Sequence, residues 1–315
     1  MLHLRHVVPA VPGHRIRIAD SAARFGIAEN EIRRFTRFLG LEQVATAGSR
    51  TLCDMLVHAG RAALSEVDPT RVRYLIHAHT VHNVPPADLH LMHAVREELG
   101  LSGARAFAMS NQACTAGLYA LKVAESLLLA EPAGSTALLL AGEKVLSRVT
   151  RHLPGITVVG DGAAAVLVGL DGPGDAVLGL AHRTVGEFHE GGNMPPALRG
   201  RYQNIYTPTV AAVIRDALED AALTLDDVAL VLPHNVNRYS WTVIARHLGL
   251  PLGRIYLENI PKIGHCHNAD PFVNLATARA GAAVHPGDVV VMVSVGQGGT
   301  FGAVVVRIGE HLRLT

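Results

Sequence analysis

The chain is sparing with cysteine, with charge and with long apolar runs. Its three cysteines, Cys53, Cys114 and Cys266, make an odd set without Cys-x-x-Cys spacing in 315 residues. Such a set argues against a disulfide framework and fits a reducing, cytoplasmic setting. Charged residues are 17% of the chain and the formal net charge is +1, with no block of like charges. Neither a nucleic-acid surface nor a charged tail is expected from that balance. No stretch approaches the roughly 18 uninterrupted apolar residues that a membrane span needs. The opening MLHLRHVVPAVPG meets Pro9 and Pro12 before it reaches signal-peptide length, so it reads as a first strand. What is present is 49% apolar residues and 31 glycines, the make-up of a large globular protein with buried elements and tight turns. At this size a single core usually gives way to two halves.

The sequence repeats itself. Residues 51–79 read as a helix, a short acidic loop and an apolar strand with a polar end, and residues 207–235 read the same way. Each is followed by helix, Leu-Gly-Leu, strand, polar loop and apolar helix, at 93–128 and at 241–284. TALLLAGEKV closes the first unit and DVVVMVSVGQG the second. Gly100 and Gly249 stand where helix C-caps need a left-handed residue. Helices alternating with nearly continuous apolar strands predict a duplicated α/β fold with helices on both strand faces. The predicted halves are 1–170 and 171–315, joined at DGPGD. Equivalent loops at the carboxyl ends of strands would then face one another, where α/β folds bind ligands.

Those loops hold the candidate chemistry. Cys114 opens the helical pattern TAGLYALKVAESLLLA, and a helix N-terminus stabilises a thiolate. A small buried apolar side chain is the alternative use of that cysteine. His234 ends an apolar strand, either presented to a site or hydrogen-bonded within its loop. Asn237 either donates a hydrogen bond in the site or stabilises a turn. In GHCHNAD, residues 264–270, His265 and His267 lie on one side of an extended segment with Cys266 facing away. No second cluster has ligand spacing, so no metal is expected. One histidine acting as base, with Asp270 fixing its tautomer, is the more economical use of the segment and leaves Cys266 structural. The glycine run at 294–306 either brings the Gly298 N–H, with that of Cys114, to a substrate oxygen as an oxyanion hole or forms a plain hairpin. It introduces a strand instead of a helix, which excludes a nucleotide loop.

Taken in order, SNQACTAGLYAL, GDGAAAVLVG, PHNVN, GHCHNAD and GQGGTFGAVVVRI resemble the ketoacyl-ACP synthase III group of the thiolase superfamily over nearly the whole chain. The resemblance implies a five-layered αβαβα fold and a homodimer. It also implies a cysteine acylated by a coenzyme A or acyl carrier protein thioester, with no bound cofactor. Cys114 falls at the family's nucleophile and His234 at its His-x-x-Asn histidine. Condensing members carry Gly-Asn where this chain has Gly264-His265, and their asparagine helps to stabilise an enolate. The replacement, with Asp270 five residues on, is similar to an offshoot of natural-product acyltransferases that use a Cys, His, Asp set.

The expected activity is therefore ping-pong acyl transfer to a carrier protein, hydroxyl or amine. Cys114 attacks, His265 moves the proton, Asp270 orients His265, and His234 with Gly298 polarises the carbonyl. Decarboxylative condensation with a malonyl thioester and a degenerate, partner-binding homologue are the rivals. Residues 189–206, rich in Gly and Pro, read as an irregular cover. Arg33, Arg34, Arg37 and Arg151 either meet an acidic carrier or a coenzyme A phosphate, or form a solvated face.

Overall fold

The computed structural model describes residues 1–20, 25–80 and 90–310, apart from the side chains of Arg148 and Val149. Strands β1 (His3–Ala10), β4 (Val72–Ala78), β5 (Arg105–Met109), β6 (Thr136–Glu143), β9 (Gly162–Gly169), β10 (Asp175–Thr184), β11 (Val228–Leu232), β12 (Val289–Gly296) and β13 (Thr300–Arg307) are hydrogen-bonded edge to edge. Two small ribbons, β2 (Arg15–Arg17) with β3 (Gln43–Ala45) and β7 (His152–Leu153) with β8 (Thr157–Val158), stand apart.

The repeat in the sequence appears as a repeat in topology. Along the sheet the order is β11-β12-β13-β10-β1-β9-β6-β4-β5. Read inward from β5, strand β4 pairs in parallel with β5 and β6, and β9 and β1 follow antiparallel. Read inward from the other edge, β11 pairs in parallel with β12, and β13 and β10 follow antiparallel. The counterpart of β5 is reduced to one parallel bridge between Val231 and Ile255. The two sets are joined in the ladder between β1 and β10, where His3 pairs with Ala176 and Leu4 with Asp175. The bend at 170–174 connects β9 to β10.

Three apolar clusters define the layers. Helices Leu52–Ala63 and Leu91–Glu98 cover one face of β4, β6 and β9 through Leu56, Val95, Leu99, Leu138 and Ala165. Helices Ala116–Leu128 and Asp270–Ala280 share a single core with residues from both strand sets, including Leu121, Phe272, Ile76, Val166, Val290 and Val304. Helices Pro196–Asp220 and Arg238–Leu248 cover the far face of β10 to β13 through Ile214, Trp241, Val291 and Val305. The stack is helix, strand, helix, strand, helix. Strands β6, β9 and β12 are buried at every position, as strands covered on both faces must be. Gly249 closes helix Arg238–Leu248 at φ +76°, the left-handed cap that its place after the last apolar residue predicts.

Segment 189–206 departs from the expected irregular cover. A helix starts at Pro196 and runs to Asp220, with Pro208 inside it. Proline at the first helical position lacks only an N–H that the helix would leave unpaired, so Pro195-Pro196 starts the helix where its composition suggested a break. No helix among the described residues is long and apolar enough to cross a membrane.

Candidate active site

Cys114 sits in a single helical turn, Ala113–Thr115, that leads directly into helix Ala116–Leu128. The chain enters the turn through Ala113 at φ +47°, an uncommon conformation for a residue with a side chain. Several side chains hold that turn. Ser294 Oγ donates to the Cys114 carbonyl at 2.7 Å, and the Gln112 carbonyl accepts from Thr115 Oγ1 at 2.7 Å and Thr300 Oγ1 at 2.8 Å. Ser294 and Thr300 belong to the β12–β13 hairpin, so the second repeat fixes the loop of the first. The approach is close enough to require glycine at 296, where a Cβ would meet the Gln112 carbonyl at 2.5 Å.

His265 reaches the same sulfur from the other repeat. Its segment lies against residues 158–160: Gly160 N donates to the His265 carbonyl at 2.9 Å and His265 N to the Val158 carbonyl at 3.3 Å. The His265 ring places Nε2 at 3.5 Å from Cys114 Sγ, although 151 residues separate the two. Its Nδ1 is 2.5 Å from Asp270 Oδ2. Asp270 is fully buried at the start of its helix and accepts three further hydrogen bonds, from Asn235 N at 2.6 Å, Asn235 Nδ2 at 3.1 Å and Cys266 N at 2.8 Å. These donors aim the carboxylate at Nδ1, which places the proton there and leaves Nε2 for the sulfur. Thiol, imidazole and carboxylate therefore converge as the resemblance implies. This is the arrangement of nucleophile, base and orienting acid used in acyl transfer.

The remaining candidate residues separate. His234 is buried, and its Nε2 shares a hydrogen bond of 3.2 Å with the Tyr206 hydroxyl, while Nδ1 has no hydrogen-bond partner among the described residues. Its ring centroid is 6.0 Å from that of His265. Asn237 is not available to a substrate: Oδ1 accepts from Ser240 N at 2.7 Å as a helix N-cap, and Nδ2 donates to the Ile156 carbonyl at 3.1 Å. The turn-stabilising use is the one observed. Asn237→Ala should cost about 1 kcal/mol of stability, the usual loss for a cap, measured by urea unfolding, with acylation of Cys114 unchanged. Gly298, at φ +91°, lies in the tight turn joining β12 and β13, so the hairpin is present, and its tip backs onto residues 185–189. Arg151 is no surface cation. It is buried, paired with Asp161 at 2.8 Å and bonded to two carbonyls. Arg33, Arg34 and Arg37 are exposed along helix Glu29–Arg37. Cys266 is fully buried, and burial together with the Asp270 and Asp161 charges pushes its thiol up.

Burial alone would lower His265, but the Asp270 carboxylate and a thiolate at Cys114 outweigh it and raise the imidazole to about 10. His234 and His267 are pushed well down by burial, with the His265 charge adding to it, and His77 falls to about 4 by burial beside His79. The two directions act on opposite sides of neutrality. A histidine raised in the folded state stabilises it fully below its unfolded value of 6.5, and that contribution is lost as pH climbs through about 10. Histidines held neutral favour the fold above 6.5, and that advantage is lost as pH falls, for His77 through about 4. Thermal stability should peak near neutral pH, and Asp270→Asn should flatten the alkaline limb in a calorimetric pH series.

Several participants escape a reading of the sequence. Thr80 Oγ1 donates to Cys114 Sγ at 3.5 Å and accepts from Asn268 Nδ2 at 2.8 Å, while Asn268 Oδ1 accepts from Gly117 N at 2.8 Å. Asn235 holds Asp270, and Tyr206 holds His234. His267 Nδ1 lies 3.6 Å from the sulfur, and Cys114, His265 and His267 together could hold a metal ion. The available signals were neutral amides between apolar runs and the helical spacing of Tyr202 and Tyr206.

Two family profiles match the chain. The 3-oxoacyl-(acyl-carrier-protein) synthase III profile matches residues 110–186, and that family's C-terminal profile matches 218–308. A beta-ketoacyl-(acyl-carrier-protein) synthase III of Erythrobacter litoralis (strain HTCC2594) is 30% identical, covering 95% of this chain and 96% of its own. One from Rhizorhabdus wittichii is 31% identical over 68% of this chain and 70% of its own. Among solved structures, ChlB3, described as an acyltransferase, superposes with a TM-score of 0.86 at 21% identity over 98% of this chain and 97% of that one. The 3-oxoacyl-(acyl-carrier-protein) synthase III of Aquifex aeolicus VF5 superposes at 0.81 with 24% identity over 98% and 100%. Those two likenesses speak for the thiolase-like fold. With the two profiles spanning the loops that carry Cys114 and His265, and relatives 30% and 31% identical, the chain belongs to the 3-oxoacyl-(acyl-carrier-protein) synthase III family.

Proposed function

We propose that the protein transfers an acyl group from a coenzyme A or acyl carrier protein thioester, through Cys114, to a carrier protein, hydroxyl or amine, without forming a carbon–carbon bond. The observation that carries this reading is the relay from Cys114 Sγ to His265 Nε2 at 3.5 Å and from His265 Nδ1 to Asp270 at 2.5 Å. In this reading the sulfur attacks the donor carbonyl, and collapse of the tetrahedral intermediate expels the donor thiol, which takes the proton held on His265. The acceptor X–H then attacks the acyl-cysteine while His265 removes its proton, and collapse releases acyl-X and the Cys114 thiolate. His234, held beside His265, and the backbone around Gly298 polarise the carbonyl oxygen. No bound cofactor takes part, and a pair of identical chains is the working assembly that the resemblance implies.

Decarboxylative condensation is the second reading, and one observation favours it. A His265 that retains its proton can donate to an enolate oxygen, as the asparagine of condensing relatives does. Against it, His265 Nε2 faces Cys114 Sγ at 3.5 Å, the place of a base that serves the thiol. Steady-state rates with an acyl thioester and a holo carrier protein lacking a malonyl group test the leading reading. Parallel double-reciprocal lines are expected, with an acyl mass on the protein when the donor is supplied alone. Intersecting lines and no adduct would contradict it.

A further inference from the structure

His267 has no part in the acyl-transfer relay. Its Nδ1 lies 3.6 Å from Cys114 Sγ, beside His265 Nε2 at 3.5 Å. The ring is buried, and its Nε2 has no hydrogen-bond partner among the described residues. The backbone of His267 is held at φ +51°, a conformation that costs energy for a residue with a side chain. A thiol has one proton, so it can serve only one of two imidazole acceptors. An S–H···N hydrogen bond serves one of the two sulfur–nitrogen distances, and a thiolate takes both only when each ring turns an N–H toward it.

Metal coordination accounts for both. Cysteine and histidine bind zinc at about 2.3 and 2.0–2.1 Å in a tetrahedron, which puts neighbouring sulfur and nitrogen ligands about 3.6 Å apart. The ligand atoms of Cys114, His265 and His267 all lie within 4.8 Å of one another, and all three residues are buried. Asp270 accepts from the other nitrogen of His265, the carboxylate–histidine–metal arrangement that fixes a ligand tautomer and raises its basicity. One thiolate and one carboxylate balance a divalent charge. The expectation of no metal rested on the lack of a second cluster with ligand spacing, whereas the third ligand is a lone cysteine 151 residues upstream of His265.

We propose that Cys114, His265 and His267 form a three-ligand site for a tetrahedral divalent cation, zinc in particular, that reversibly occupies the nucleophile. On binding, Cys114 and His265 Nε2 release any protons they carry to solvent, metal–ligand bonds form and nothing is oxidised. The fourth position stays open to water or a thiol. The cation is a brake, because a metal-bound sulfur is withheld from the acyl donor. The site does not depend on which acyl chemistry Cys114 performs, since it is read without any donor.

The full-length protein, stripped with a chelator, is titrated with zinc against a chromophoric chelator and separately with cobalt(II). One equivalent per chain is expected, and the cobalt complex should show a near-ultraviolet thiolate charge-transfer band that disappears in Cys114→Ser. His267→Gln should weaken zinc binding by at least about 10-fold, since loss of even an outer partner commonly costs 10- to 100-fold. In the unaltered protein, zinc should slow alkylation of Cys114 by iodoacetamide, read by peptide mass, and this needs no variant to fold. Zinc binding that survives both substitutions, a cobalt complex without the thiolate band, or alkylation of Cys114 unaffected by zinc would each overturn the proposal.

Discussion

Cys114→Ala is expected to abolish the acyl adduct on incubation with an acyl thioester and to lower turnover at least about 10,000-fold, the scale seen when the nucleophile of a catalytic triad is removed. The other two thiols offer no substitute. Cys266 is fully buried with its thiol pushed up by burial and by Asp270 and Asp161, and burial and Asp54 push Cys53 up as well. The fold should tolerate the change. Ser294 holds the main-chain carbonyl of residue 114, which alanine retains, so the turn keeps its anchor. Because the Cys114 charge is among the causes that raise His265, the imidazole of the variant should titrate below about 10, visible in histidine proton resonances. Intact-mass spectrometry decides the main point: an adduct of equal yield in the variant would remove Cys114 from the mechanism.

Asp270→Asn is expected to lower the rate of Cys114 acylation about 10,000-fold, as loss of the orienting carboxylate does in a serine triad. The geometry explains the size. Four donors converge on this carboxylate: His265 Nδ1, both nitrogens used by Asn235, and Cys266 N. An asparagine offers one acceptor oxygen and turns an NH2 group toward the rest. Either the His265 ring loses its partner or the loop loses its own, and an unsatisfied buried group costs about 1–3 kcal/mol. Removing the charge also removes a cause that holds His265 up, so the proton needed by the leaving thiol is held less firmly. Rapid-quench measurement of donor thiol release reads the acylation step directly. A rate within about 10-fold of the original would reduce Asp270 to a loop anchor.

Much of the fold was legible because duplication writes the same pattern twice. The Leu-Gly-Leu caps and polar loops at matching places pointed to Cys114 and to His265 with Asp270 as residues that meet, and they meet. What the sequence hid was partnership across elements. Arg151 looks like a surface cation until its carboxylate at Asp161 and its two carbonyl partners are seen. Asn237 carries polar atoms whose use depends on Ser240 and Ile156, and local spacing ties only the first to it. Tyr206 was obscured by the prolines before it, which start a helix and carry its hydroxyl to His234. His267 stood in plain view, but its meaning required a sulfur from the other half of the chain.

Product analysis with a malonyl acceptor decides whether the Cys114 acyl group leaves to a heteroatom or to carbon. Pre-acylated protein is given labelled malonyl carrier protein in one reaction and a non-malonylated holo carrier protein in another, and carbon dioxide release and products are measured. Transfer to the carrier thiol, giving a hydroxylamine-cleavable thioester, is expected, with no carbon dioxide from the malonyl reaction. Carbon dioxide released in step with a β-keto product would contradict it.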